Sequence, residues 1–156
     1  MSERTEMLRQ ELQEARDALL AAIDQTTEAD LAKPTLVDSW TVKDVVAHLA
    51  YNQPSQPRLI RNILEGKGGT PSGFDLNYYN RRGIEKQQAK SVEQLKADLA
   101  AGHSDTLNLL GGLTDADLDK MGSHASAGYT TIEQIFRIVA RHDTEHTEHI
   151  RQALGK

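Results

Sequence analysis

Thr131-Ile132-Glu133-Gln134-Ile135-Phe136-Arg137-Ile138-Val139-Ala140-Arg141-His142-Asp143-Thr144-Glu145-His146-Thr147-Glu148-His149-Ile150 is the stretch whose reading settles the architecture. Ile132, Ile135, Ile138 and Val139 recur at helical spacing, so the segment reads as an amphipathic helix opening at Thr131 and running to about Leu154. At about 100° per residue, with Ile135 as zero, Ile138 falls at about 300°, Val139 at about 40°, His142 at about 340°, His146 at about 20° and His149 at about 320°. Three of the chain's 6 histidines therefore continue the apolar stripe. Imidazoles at core positions must be hydrogen-bonded internally or given a ligand, because burying them unpaired is costly.

Working outward, the chain supplies partners for this helix. Leu8, Leu12, Ala15, Leu19 and Ile23 recur at spacings of three and four, which predicts a first helix over roughly residues 3 to 25. Thr27-Glu28-Ala29-Asp30 reads as a short capped turn ended by Pro34. Thr41, with Asp44 three residues on and Trp40 just before, opens a second helix whose apolar face is Val42, Val45, Val46 and Leu49. His48 lies on the edge of that face. Pro54 and Pro57 should kink or interrupt this helix, and Leu59, Ile60, Ile63 and Leu64 resume its pattern to about Glu65.

Gly66 to Gly73 is a flexible loop without the glycine spacing or the preceding strand of a phosphate-binding loop. Phe74 to Lys90 includes a short helix carrying Tyr78, Tyr79, Arg81 and Arg82. Ser91 with Gln94 forms a capping box, and Val92, Leu95, Leu99, Thr106, Leu107, Leu110 and Leu113 define a third long helix, loosened at Gly111-Gly112. Thr114 to Leu118 opens another short turn, and Gly122 to Gly128 reads as loop. With 4% aromatic residues and no sustained β-branched alternation, the expectation is an all-α four-helix bundle with short extra helices in its connections, spanning residues 1–156 as a single domain.

Composition narrows the function classes. At 38% hydrophobic and 26% charged, 156 residues can bury a real core. A formal charge of -5 without a local basic patch argues against nucleic acid and anionic membrane as partners. No apolar run approaches a membrane span and the N-terminus lacks the pattern of a signal peptide, so a cytoplasmic protein is expected. There is no cysteine, so a metal must be held by His, Asp or Glu, and any reactive thiol must come from outside.

His142 and His146 stand one helical turn apart, and two readings stay open: a chelating pair, or two core histidines bonded to carboxylates or carbonyls. His149, a further turn along, reads as a supporting neighbour. His48 can add a third nitrogen if the second helix packs beside the last one, which would leave a three-histidine site with an open coordination position. His103 and His124 read as surface or internally satisfied residues. Asp143 and Glu145 fall at about 80° and about 280°, off the stripe, as helpers that orient rings or move protons, or as solvated or salt-bridged carboxylates. Tyr78, Arg81 and Arg82 are candidates for anion contact or a solvated face.

Trp40-Thr41-Val42-Lys43-Asp44-Val45-Val46-Ala47-His48-Leu49, followed by His142-Asp143-Thr144-Glu145-His146, resembles the DinB-like (DinB/YfiT) superfamily. Through Phe74-Asp75-Leu76-Asn77 and Ser91-Val92-Glu93-Gln94-Leu95 the chain is most similar to the N-terminal domain of mycothiol-dependent maleylpyruvate isomerase. The resemblance implies a bundle of up-down-down-up topology, often a homodimer, with a divalent metal, zinc or nickel, held by three histidines. Carried over, those ligands are His48, His142 and His146. It further implies a low-molecular-weight thiol as cofactor or co-substrate in isomerase or S-transferase chemistry on a small molecule. Metal-dependent hydrolysis at the same ligands, or a non-catalytic metal-binding or stress-related dimeric bundle, are the alternatives.

Overall fold

A computed structural model of the chain describes residues 1–156. Its elements are α1 (Glu3–Asp24), a 3₁₀ turn (Asp30–Ala32), α2 (Val42–Asn52), α3 (Ser55–Leu64), α4 (Leu76–Gln87), α5 (Val92–Gly111), α6 (Asp115–Leu118), β1 (Met121–His124), β2 (Gly128–Thr131) and α7 (Ile132–Ala153). The long helices start where the sequence offers a side-chain acceptor to the free amides of the first turn. Thr41 and Asp44 cap α2 reciprocally, at 2.9 and 3.2 Å, and Ser91 with Gln94 does the same for α5. Ser2 caps α1 and Thr131 caps α7.

The prolines divide the expected second helix rather than merely bending it. α2 closes on Gln53, Pro54 occupies the N-cap of α3, and Pro57 falls in the first turn of α3, where a missing amide loses no helical bond. This break lets Asn52, Ser55 and Gln56 turn toward the same cavity as His48.

Cross-helix pairs fix the directions. Arg4–Glu133 (3.0 Å), Glu11–Arg137 and Arg16–Asp143 (3.1 Å) advance together, so α1 and α7 run parallel. Asp24–Lys96 and the bond from Arg16 to the Leu99 carbonyl (2.7 Å) set α5 antiparallel to α1. Val45 and Val46 of α2 pack in the block that holds Ile150, whereas Ile60 and Ile63 of α3 pack with Ile132 and Ile135, so α2 and α3 descend against α7. The result is the expected up-down-down-up bundle.

Two apolar blocks form the core. One gathers Leu8, Leu12, Ile60, Leu110, Ile132 and Phe136; the other gathers Leu19, Ile23, Val45, Leu49, Leu99 and Ile150. Between them lies a buried polar layer of Arg16, Gln53, Thr106, Asp143 and Thr147. The two threonines are satisfied by back-bonding to carbonyls one turn earlier, Thr106 to Gly102 (2.9 Å) and Thr147 to Asp143 (2.7 Å). The three-histidine cluster opens from the edge of this layer.

The Gly122–Gly128 segment corrects the sequence reading. Instead of loop it forms an antiparallel hairpin, with Gly122 opposite Thr130 and His124 opposite Gly128. Its Gly, Ser and Ala side chains give no apolar alternation, so the pairing rests on backbone bonds and on the turn allowed by Gly128 at φ 72°. The Gly66–Gly73 loop docks on it: Thr70 N donates to Ser123 O (2.8 Å) and Ser123 N to Gly68 O (2.9 Å). Gly69 is required there, because it holds φ +93° and an added Cβ would lie 2.4 Å from Ser123 O. No helix is long and apolar enough to cross a membrane.

Candidate metal centre

His48 lies on α2 beneath Trp40, whose ring centroid is 4.9 Å from the imidazole. Trp40 is held there by the turn before the helix, in which Thr35 N donates to Trp40 O (2.9 Å) and Val42 N to Lys33 O (3.0 Å). His142 and His146 project from successive turns of α7 toward the same point. His48 Nε2 is 3.0 Å from His142 Nε2, and His146 Nε2 is 3.1 Å from the same atom. The three ring nitrogens lie within 4.8 Å of one another.

Hydrogen bonding alone does not account for this convergence. A neutral imidazole carries one N–H and one in-plane lone pair, so His142 Nε2 can serve one of its two nitrogen neighbours well and not both. A cation at the centre accepts all three lone pairs at once. With metal–nitrogen bonds of about 2.0–2.1 Å, tetrahedral ligand atoms stand about 3.3 Å apart, close to the observed contacts. The residues present therefore fit a divalent ion with nitrogen preference.

Electrostatics point the same way. Burial, then the charge of His142, holds the pKa of His48 down to about 3. Burial followed by His124 holds His142 down to about 4, and burial with His142, His48 and His149 holds His146 down to about 2. All three rings are thus neutral at physiological pH, which is the form that ligates.

The surroundings hold the rings in place. His149 Nδ1 is 3.2 Å from His146 Nδ1, so a proton shared there leaves His146 Nε2 free for the cluster. Asp143, next to His142, takes the salt-bridged alternative of the sequence reading, but in the core rather than off the stripe: it is 1% exposed. Its Oδ2 accepts from Arg16 Nη2 (3.1 Å) and its Oδ1 from Gln53 Nε2 (3.0 Å). Burial pushes the Asp143 carboxyl up from its ordinary value while Arg16 pulls it back. With Arg16 also donating to Leu99 O, one polar knot ties α1, α2, α5 and α7 together beside the cluster. Arg16 was detectable in the sequence, four residues after Leu12 and three before Leu19.

A cavity of about 820 Å³ adjoins the cluster, with His48 and His142 in its wall. Leu59, Phe74 and Ile138 give it an apolar side; Arg58, Arg141 and Glu145 bring charge. His124, read from the sequence as surface or satisfied, is 8% exposed and lines this cavity. Tyr79 and Asn80 of α4 also face it, whereas Tyr78 is exposed, Arg81 stacks over Tyr78 at 5.8 Å, and Arg82 pairs with Glu85 at 2.9 Å. The Tyr78, Arg81 and Arg82 group is therefore a solvated face. His103 stands apart from the cluster, half-buried; burial and then Arg16 hold its pKa down to about 4.

The chain is similar to known proteins in sequence and in fold. The family model described as the DinB superfamily matches residues 6–150. A protein of Bacillus mycoides (strain KBAB4), inferred to be a metal-dependent hydrolase, is 28% identical over 142 residues, covering 90% of this chain and 80% of that protein. Among solved structures, mycothiol-dependent maleylpyruvate isomerase superposes with a TM-score of 0.80 at 12% identity, over 96% of this chain and 63% of the isomerase. The chain thus spans less than two thirds of that enzyme. YfiT from Bacillus subtilis, inferred to be a metal-dependent hydrolase with an unusual four-helix bundle topology, superposes with a TM-score of 0.75 at 23% identity, over 99% of this chain and 90% of YfiT. At these identities the superpositions establish the fold, and the family match, which runs from Glu6 to Ile150, establishes that the chain belongs to the DinB superfamily.

Proposed function

We propose that this chain is a divalent-metal-dependent enzyme acting on a small molecule bound in the cavity beside His48 and His142. The observation that carries the reading is the convergence of three neutral imidazole Nε2 atoms, two of them on rings in the wall of an open cavity, rather than inside a closed core. A structural ion is normally enclosed by four protein ligands, whereas a three-ligand site beside a cavity keeps a position for an exchangeable group. When bound, a zinc or nickel ion would supply Lewis acidity that lowers the pKa of a water or thiol and holds it as a nucleophile.

The chain's own residues divide the remaining work. His48, His142 and His146 hold the ion, and His149 fixes the ring orientation of His146. Arg16, Asp143 and Gln53 keep the ligand-bearing helices in register. Leu59, Phe74 and Ile138 exclude water from one side of the substrate, and Arg58 and Arg141, neither in an ion pair within the chain, are available to an anionic portion of it.

Hydrolysis is the first reading, supported by relatives that are inferred metal-dependent hydrolases. Thiol transfer or isomerisation with an external thiol is the second, favoured by the likeness to the mycothiol-dependent enzyme and by a cavity far larger than a water needs. Elemental analysis of protein purified without chelator tests the shared premise: about one equivalent of divalent metal per chain is expected, and less than about a tenth would refute it. Cobalt-loaded protein then separates the two chemistries. A visible spectrum that changes on adding a low-molecular-weight thiol supports thiol chemistry, and one that ignores thiols but responds to pH supports water.

A further inference from the structure

His124 closes β1 with its imidazole in the cavity wall, and its two nitrogens are treated very differently. Nδ1 faces Ser126 N at 3.1 Å, Ser126 Oγ at 3.1 Å and Ala127 N at 3.4 Å. The two amides can only donate, so Nδ1 is bare and the proton of the neutral ring is on Nε2. That Nε2–H reaches Gln56 Oε1 at 3.4 Å, long for such a bond. Gln56 is in turn oriented by contacts of its Nε2 with Asn52 Oδ1 (3.5 Å) and Ser55 Oγ (3.3 Å). The hairpin thus locks one tautomer and leaves its N–H weakly engaged, on a wall of the cavity shared with His48 and His142. Burial also lowers the pKa of His124, which keeps the ring neutral and suits it to donate a hydrogen bond rather than a proton.

We propose that His124 is the oxyanion-binding residue of this cavity, its Nε2–H donating to the carbonyl oxygen of an acyl-type substrate held at the three-histidine centre, where negative charge develops. The proposal rests on the metal-enzyme reading above. The proton stays on Nε2 throughout; the donor exchanges its long contact with Gln56 Oε1 for a shorter, charge-assisted one. A preset donor of this kind needs no reorganisation when charge appears, which is why its orientation by two backbone amides matters. The substrate class follows: a molecule with a polarisable carbonyl beside the metal and an apolar portion against Leu59 and Phe74.

Two substitutions separate this role from a merely structural one. His124→Asn keeps an acceptor near the Nδ1 position for the amides of Ser126 and Ala127 but cannot reach the Nε2 position; His124→Gln keeps a donor near Nε2. Acetohydroxamate, an oxyanion probe, is titrated into cobalt-loaded protein and followed by visible absorption. Both variants should load cobalt with wild-type affinity. His124→Asn should bind acetohydroxamate about ten- to a hundredfold more weakly, the value of one hydrogen bond to a charged oxygen, and His124→Gln within about threefold of wild type.

Equal probe affinity in wild type and His124→Asn, or the reverse order of the two variants, overturns this proposal and leaves the metal reading intact. Loss of cobalt in both variants also overturns it, by making His124 part of the metal centre. A wild-type protein that fails to bind cobalt removes the metal reading and this one with it. Should neither variant fold, ¹⁵N NMR of zinc-loaded wild type decides: protonated Nε2 with bare Nδ1, and a downfield shift of the Nε2 proton on adding acetohydroxamate, are expected. The opposite tautomer, or a proton that ignores the probe, overturns the assignment.

Discussion

Arg16 Nη2 lies 3.1 Å from Asp143 Oδ2, both side chains almost wholly buried, and this ion pair joins α1 to the helix that carries two of the three clustered imidazoles. Removing one partner strands the other charge in the interior. Asp143→Ala should therefore destabilise the metal-free protein by about 3–5 kcal/mol, while Arg16→Met with Asp143→Leu together should cost less than Asp143→Ala alone. Urea unfolding in the presence of chelator measures both. A loss below about 1 kcal/mol for Asp143→Ala would show that solvent reaches the pair.

The cluster makes a graded prediction. His48→Ala, His142→Ala and His146→Ala each remove a converging Nε2, and each should weaken zinc binding by at least about a hundredfold in chelator competition. His149→Ala removes only the 3.2 Å contact that orients His146, and should cost about tenfold. Equal losses at all four positions would mean that His149 belongs to the ligand set.

The α7 sequence shows how much of this was legible. With Ile135 as zero, the buried residues Ile132, Ile135, Phe136, Val139, Ala140, Asp143, His146, Thr147 and Ile150 centre at about 70°, not near 0°. The stripe read from the isoleucines and histidines passes over Phe136, Ala140 and Thr147. With the shifted centre, Asp143 falls mid-face against α1, while Ile138 and His142 fall on the side that meets the cavity. The helices, their caps, the proline break and the meeting of His48 with His142 and His146 follow from local pattern plus one packing assumption. The hairpin and His124 do not, because backbone pairing and the Gly69 contact with Ser123 leave no trace in side-chain periodicity.

Acid should destabilise the metal-free protein early. In the unfolded chain each histidine titrates at about 6.5. The fold holds His48 down to about 3, His142 to about 4 and His146 to about 2, in each case mainly by burial. Below pH 6.5 the unfolded chain therefore takes up protons that the folded chain refuses. The stability present above that pH falls as pH drops toward about 4, at up to about 1.4 kcal/mol per pH unit for each ring. Melting temperatures of chelated protein between about pH 8 and about pH 4.5 should show this slope, and a variant with glutamine at positions 48, 142 and 146 should make it shallower, leaving the part due to His103 and His124. A wild-type curve that stays level to pH 5 would show that the rings titrate normally and are not buried as described.

Gly102→Ala sets helix propensity against packing. Replacing an interior helical glycine with alanine gains about 1 kcal/mol in propensity. At Gly102, however, the added Cβ would lie 2.6 Å from Gln53 Cβ and 3.4 Å from the Gln53 carbonyl carbon, atoms that cannot swing aside as the tip of a long side chain can. Overpacking of this kind costs about 1–3 kcal/mol, so the net effect should be a loss of stability despite the better helix former. It should reach the three-histidine cluster as well, because pushing Gln53 away loosens its bond to Asp143 Oδ1, one residue from His142. Gly111→Ala is the control: its Cβ meets only the mobile end of Arg9, at 3.3 Å, so stability should be unchanged or slightly raised and zinc affinity untouched. If the two variants behaved alike in urea unfolding and in zinc competition, the close approach of α5 to α2 would have no part in holding the site.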